Sequence, residues 1–365
     1  MNALMNAFEA RSELQRLISH SVESLFAEQV TPALLARFDT GEPAKALWQL
    51  VSELGLPNAL APEALGGSDA SWLEVSPILR ALGYWQVPLP LAESLLASAL
   101  LAHAGLQVPE GPLTVIQVGR QNDLRLTAKG ELHGRAFNVP WGRECRWAVV
   151  AVGKRLALVD LKQAAVVVAP ASNFASEPMD TLSFSDAPSQ ALGELRLDGI
   201  DEPVWTLGAM LRACVLVGAL EAVLDKTVAY ANERVQFGKP IGKQQVLQQY
   251  LAQLAGATGA ARMACHVALG SATDAFAHQP HRLVFDTAVA KVCAGEAASL
   301  ACSVAHQVFG AIGFTHEHSL HFATRRLWSW RDEFGSDTQW AQVLGESAIA
   351  AGSAGFWKGL TDPSL

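Results

Sequence analysis

Apolar residues recur at three- and four-residue steps through the first hundred positions, as in Leu14, Leu17, Ile18 and Leu25. That is the spacing of helices that bury one face. Breakers at Gly55, Pro57, Pro62, Gly66, Gly67, Pro88 and Pro90 divide this region, and a further helix is predicted from Ser94 to about Gly105. At Gly111 the pattern changes. Short β-branched runs at 113–118, 124–127, 147–152, 156–159 and 165–169, separated by turn residues, predict a small antiparallel β domain ending near Leu197. Long helical patterns return from about Thr206, with candidates at 207–233, 243–277 and 282–309. In the second, Leu247, Tyr250, Leu251 and Leu254 share one face. The expected fold class is α+β, with a helical domain over 1–110, a β domain over 111–200 and a C-terminal four-helix bundle over 201–365.

Composition narrows the class. Half of the 365 residues are hydrophobic and 17% are charged, which suits a large core and argues against disorder. A net charge of −8 argues against a nucleic-acid surface. The five cysteines have no CxxC spacing and read as reduced thiols of a cytoplasmic protein. The opening residues carry acids and no apolar core, so no secretory leader is expected. No run of about 18 apolar residues was found, so no membrane span is expected either.

Two motifs concentrate polar chemistry in the apolar C-terminal half. Arg234-Val235-Gln236-Phe237-Gly238-Lys239-Pro240-Ile241 is followed by Gln245, and Gln307-Val308-Phe309-Gly310-Ala311 comes much later. Gly238 and Pro240 should stop a helix and leave the Arg234 fork free for a phosphate pair. A surface Arg paired with Glu233 is the plainer alternative for Arg234, and helix-junction packing is the plainer alternative for Gln236, Phe237 and Gln245.

These motifs, with Leu54-Gly55-Leu56, Ala61-Pro62-Glu63-Ala64-Leu65-Gly66-Gly67-Ser68, Glu317 and Arg325-Arg326, resemble those of the acyl-CoA dehydrogenase family along nearly the whole chain. The resemblance implies a helical–β–helical fold and FAD as cofactor. A carboxylate takes the α-proton of an acyl-CoA thioester, and the β-hydrogen leaves as hydride to the flavin. Electrons then pass to an electron-transfer flavoprotein. It also implies tetramers in which each FAD spans two subunits, the ring on one β domain and the adenosine diphosphate on the neighbour's helices. Arg234, Gln236, Phe237, Gln245, Gln307, Phe309, Gly310 and Ala311 match the adenosine-diphosphate side. Ala311 replaces a usual second glycine.

The ring side departs from the family pattern. Where the family carries an acidic, Gly-rich TEPxxGSD loop, this chain has Leu113-Thr114-Val115-Ile116-Gln117-Val118-Gly119-Arg120-Gln121-Asn122-Asp123. Trp141 could face a flavin, although a packed core Trp is the plainer reading. The family's two base positions hold Phe334 and Leu211, leaving the neighbouring Glu333 and Asp332, Glu333 first, as candidate bases, with a solvated or ion-paired acid as the alternative. His316, His318 and His321 have poor metal spacing, so no metal is expected. Arg325, Arg326 and Arg331 read as a solvated or interface face.

Three functional readings follow. The chain is a heterotetramer subunit that lends its half-site to a catalytic paralogue acting on an acyl-CoA, as in steroid or lipid degradation. Or it is a catalytic homotetramer using Glu333. Or it is an acyl-CoA-binding relative without redox chemistry.

Overall fold

The computed structural model describes residues 2–120, 123–315 and 317–361. Five helices open the chain: α1 Asn2–Gln29, α2 Pro32–Asp39, α3 Lys45–Glu53, α4 Ser76–Tyr84 and α5 Leu91–His103. Thr31 starts α2 by accepting a hydrogen bond from the Leu34 N–H at 3.2 Å, just ahead of Pro32, which needs no N–H partner there. From Leu91 to Leu101 every residue of α5 is buried, so it is a core helix with no solvent face.

Eight strands follow in two four-stranded sheets. The first holds β1 Leu113–Gln117, β4 Trp147–Val152, β5 Arg155–Asp160 and β8 Ala191–Glu194, in the order β1-β4-β5-β8. The second holds β2 Arg125–Leu126, β3 Glu131–Pro140, β6 Val166–Ala169 and β7 Met179–Pro188, in the order β2-β3-β7-β6. The expected antiparallel layout needs one correction: β1 pairs with β4 in parallel. Between them the chain crosses to the second sheet for β2 and β3, and so re-enters in the original direction.

The first sheet is covered on both faces, which explains the near-continuous apolar run of β4. Val149 and Ala151 join the helical core, while Ala148 and Val150 pack with Leu132, Leu182 and Phe184 between the sheets. Strands β3, β7 and β8 were weak in the sequence because they alternate buried and exposed positions without β-branched runs, as in Met179–Pro188.

The C-terminal helices are α6 Pro203–Glu233, α7 Gln245–Phe276, α8 Leu283–Phe309, α9 Leu320–Trp330 and α10 Asp337–Thr361. Between α6 and α7, β9 Val235–Gln236 and β10 Lys239–Pro240 form a tight hairpin. Helix α6 is the axis of the fold and packs on α4, α5, α7, α8 and α9. The side-chain amide oxygen of Gln117 in β1 accepts from the Val204 N–H at 3.1 Å, tying the first sheet to the start of α6.

Burial, and not length or composition, decides how the longest apolar helices are read. Among the described residues, Pro203–Glu233 and Leu283–Phe314 are each long and apolar enough to cross a bilayer. The apolar window of α6 is 89% buried inside the protein and that of the second stretch 50%. Helix α6 is apolar all round because protein surrounds it.

The crossing of α4 and α6 depends on two glycines. A Cβ at Gly83 would lie 1.8 Å from the Val215 carbonyl oxygen, and one at Gly218 would lie 1.9 Å from that of Arg80. Backbone sits on backbone, so neither helix can yield by a rotamer change. Gly218→Ala is expected to destabilise the chain by about 3 kcal/mol or more, despite the better helix propensity of Ala. Denaturant unfolding checks this, and a change below about 0.5 kcal/mol would refute the close crossing.

Candidate functional site

A cavity of about 340 Å³ opens between the β domain and the turn that joins α9 to α10. Val115 to Gln117 of β1 and Phe137 to Pro140 of β3 form one side. Asn173, Trp205, Ser329 and residues 332–335 form the other. A register shift between Ala136 and Val139 marks a bulge in β3, where Asn138 takes a left-handed backbone (φ 53°) and turns toward the cavity.

Glu333 reaches this wall at 8% exposure, with both carboxylate oxygens engaged. Arg212 Nε donates to Oε2 at 2.5 Å and Asn173 Nδ2 donates to Oε1 at 3.0 Å. Arg212 lies in the middle of α6 at 5% exposure, and its Nη2 donates to Glu93 on α5. Burial weakens the Arg212 cation, but Glu333 and Glu93 outweigh it and hold its pKa above the ordinary guanidinium value. Burial pushes the Glu93 carboxyl upward, and Arg212 only partly offsets this. Nearby, Glu177 accepts from Arg326 Nε at 3.0 Å and from Trp330 Nε1 at 2.7 Å.

Next to Glu333, Phe334 adopts a left-handed backbone (φ 53°), uncommon for a bulky residue. Trp340 Nε1 holds its carbonyl at 2.9 Å, and its ring packs where a Cβ on residue 208 would come within 2.5 Å, so that position is Gly208. Lys291 of α8 is fully buried and donates to the Trp330 and Arg331 carbonyls at 3.1 and 2.8 Å, pinning the end of α9. Burial lowers its pKa to about 7.

The motif residues lie at the other end of α6. Arg234 caps the helix, is exposed, and makes no ion pair among the described residues. The hairpin turns at Phe237 and Gly238 (φ 51° and 75°), with Phe237 93% exposed and Gln236 exposed beside it. Gln245 is the first residue of α7 and is exposed. Gln307, Gly310 and Ala311 are exposed at the end of α8, whereas Phe309 is buried and stacked on Tyr230 at 4.2 Å. That stack brings the end of α8 beside the end of α6, so the motifs gather at one end of the bundle.

Sequence models of the acyl-CoA dehydrogenase N-terminal and C-terminal domains match residues 12–107 and 204–337, together more than half of the chain. The chain belongs to the acyl-CoA dehydrogenase family. It is 28% identical over 325 residues to acyl-CoA dehydrogenase IpdE2 of Mycolicibacterium smegmatis, covering 86% of this chain and 92% of that protein. The crystal structure of the ChsE4-ChsE5 complex from Mycobacterium tuberculosis shares the fold at a TM-score of 0.81 and 24% identity, covering 93% of this chain and 98% of that chain. A Tcur3481-Tcur3483 steroid ACAD variant does so at 0.81 and 23%, covering 95% and 99%. By its family the protein is an acyl-CoA dehydrogenase, a class of flavoenzyme.

Within this acyl-CoA dehydrogenase, Trp141 is the packed core residue that was its plainer reading, buried against Phe38 and Cys145. Other residues lie elsewhere than the sequence suggested. Arg325, Arg326 and Arg331, expected on a solvated or interface face, are paired within the chain. Arg325 holds Asp39 at 2.6 Å, Arg331 bonds Ser299 at 2.6 Å, and Arg326 is almost fully buried on Glu177. The His318 ring accepts from the Leu320 N–H at 3.1 Å at the start of α9, and no metal cluster occurs among the described residues. His316 lies outside them. Sequence reasoning missed Glu93, Asn173 and Lys291, and took Arg212 only as the neighbour of Leu211. The signal for two of them was a single charge inside a long apolar run, Glu93 in 89–101 and Arg212 in 203–220, because such a charge must find a buried partner.

Two measurements check the site. Arg212→Met strands two buried carboxylates and should cost about 3–5 kcal/mol, with much of the loss recovered in Arg212→Met/Glu93→Gln/Glu333→Gln. No recovery in urea unfolding would contradict the shared pairing. For Lys291, the folded pKa near 7 lies below the ordinary 10.5 of the unfolded chain. Above pH 7 the unfolded chain keeps a proton that the folded one sheds, so this group makes stability rise with pH up to about 10.5. Below pH 7 both states are protonated and the effect is flat. Lys291→Met should remove that rise in unfolding midpoints compared between pH 7 and 9.

Proposed function

We propose that this chain is the non-catalytic-type subunit of a heterotetrameric acyl-CoA dehydrogenase. It supplies the adenosine-diphosphate half-site for an FAD whose ring is housed by a catalytic paralogue. The reaction is α,β-dehydrogenation of an acyl-CoA thioester. The observation that carries this reading is the contrast between the two ends of α6, with exposed anchors at one and a carboxylate whose two oxygens are taken at the other. Trp205 on the cavity and Arg234 on the hairpin stand at opposite ends of a 31-residue helix, about 45 Å apart at 1.5 Å per residue. One dinucleotide does not bridge that distance within one chain, so the two sites serve different cofactors.

The anchor end fits an anionic dinucleotide tail. The Arg234 guanidinium is uncommitted, and the first turn of α7 beside it offers free N–H groups and the positive end of a helix dipole. Gln245 and Gln307 add amides for the ribose or adenine, and Gln236 and Phe237 border the same surface. FAD, when bound, supplies the hydride acceptor. This chain's part is to hold the phosphates and orient the tail.

At the cavity end Asp332 and Glu333 line the wall, and each already has a cationic partner, Arg331 for the first and Arg212 for the second. Glu333, the alternative base for a homotetramer, has both oxygens bonded to Arg212 and Asn173, so neither is turned free toward a substrate. The names of the solved relatives point the same way: one is a ChsE4-ChsE5 complex and one a Tcur3481-Tcur3483 steroid ACAD, each pairing two differently named chains. We extend this to a bulky, steroid-type acyl group, electron transfer to an electron-transfer flavoprotein, and a cytoplasmic location.

Co-expression with the catalytic paralogue, followed by native mass and flavin analysis, tests the proposal. Half as many flavins as chains are expected. Arg234→Met should leave the assembly mass unchanged and weaken FAD retention about tenfold to a hundredfold, the loss of one charged phosphate contact. A homomer carrying one FAD per chain would overturn the reading.

A further inference from the structure

Resting on the reading above, we infer that the cavity in this chain is closed to an isoalloxazine by its own aromatic ladder, with Phe334 as the rung that fills the slot. The ladder runs from the surface inward. Arg120, ion-paired to Glu202 at 2.6 Å, lies over the Trp205 ring at 4.6 Å. Trp205 meets Phe334 edge-to-face at 6.5 Å, and Arg212 approaches the far side of Phe334 at 5.8 Å. The two outer steps set a cation against a ring and the middle one is an edge-to-face ring pair, all favourable arrangements. A planar guest would have to break one of them to enter.

Three features keep Phe334 in place. Its left-handed backbone is strained, and such strain persists only where the surroundings over-determine it. Here the Trp340 hydrogen bond fixes its carbonyl and Gly208 gives its ring a seat that no larger residue would leave open. Glu333, the preceding residue, is anchored through Arg212, so the turn cannot swing as a unit without baring a buried charge. The turn is therefore a specificity-determining element: it commits this chain to the tail half-site.

Riboflavin, which carries the isoalloxazine without the pyrophosphate, tests this on the full-length chain by quenching of flavin fluorescence. The wild type is expected to leave the signal unchanged. Phe334→Ala and Trp205→Ala should bind at least about tenfold more tightly, whereas Phe334→Tyr should stay closed. Circular dichroism and thermal melting identify the variants that remain folded, and either alanine variant alone decides the outcome. Wild-type binding as tight as that of the variants would overturn the inference. So would absence of any gain in a folded alanine variant. The flavin count of the native assembly is read separately, so a failure there is distinguishable from a failure here.

Discussion

The buried guanidinium of Arg212 is the tie on which the rest of the molecule depends. It joins Glu93 of the N-terminal helices and Glu333 of the α9–α10 turn through the centre of α6. Asn173 brings the β domain to the same carboxylate. Well-packed apolar groups could stabilise such a junction as well as an ion pair does. What the charges add is orientation: a carboxylate accepts only where a donor stands, so the turn beside the cavity has one permitted position. Lys291 and Trp340 fasten the same turn from α8 and α10.

Helix α6 then acts as a ruler. It is apolar on every side because other helices and the first sheet surround it, and its length sets the distance between cavity and anchors. The two ends differ in character. At the start of α6, polar groups are paired inward and the cavity wall is filled by aromatic rings. At its end, Arg234, Gln245 and Gln307 face outward with an exposed Phe237 between them. That asymmetry suits a subunit whose contribution is made to a neighbour.

Much of this was legible in the chain itself. The three long helices were placed within a few residues of 203–233, 245–276 and 283–309, since their periodic patterns are long and strong. The motif residues were legible for the same reason: they sit at helix ends, where Gly and Pro write the boundary. Strand β7 was not, because alternation over Met179–Pro188 without β-branched residues gives little signal. The parallel pairing of β1 with β4 was also hidden, since register across a crossover leaves no local trace. The apolar length of α6 was passed over as a membrane-span candidate, and only its surroundings distinguish a core helix from a spanning one.

By itself the sequence determined the order of the helical and β regions, the lengths of the three long helices and the spacing of the polar anchors, because those follow from local periodicity and turn chemistry. Tertiary structure alone decided that Glu333 is bound by a residue 121 positions away and that Phe334 occupies the seat left by Gly208. It also decided that Arg326 is buried inside the chain where a solvated or interface charge was expected. A side chain's partner across the core is set by how helices and sheets come together, and no local pattern of residues encodes that approach.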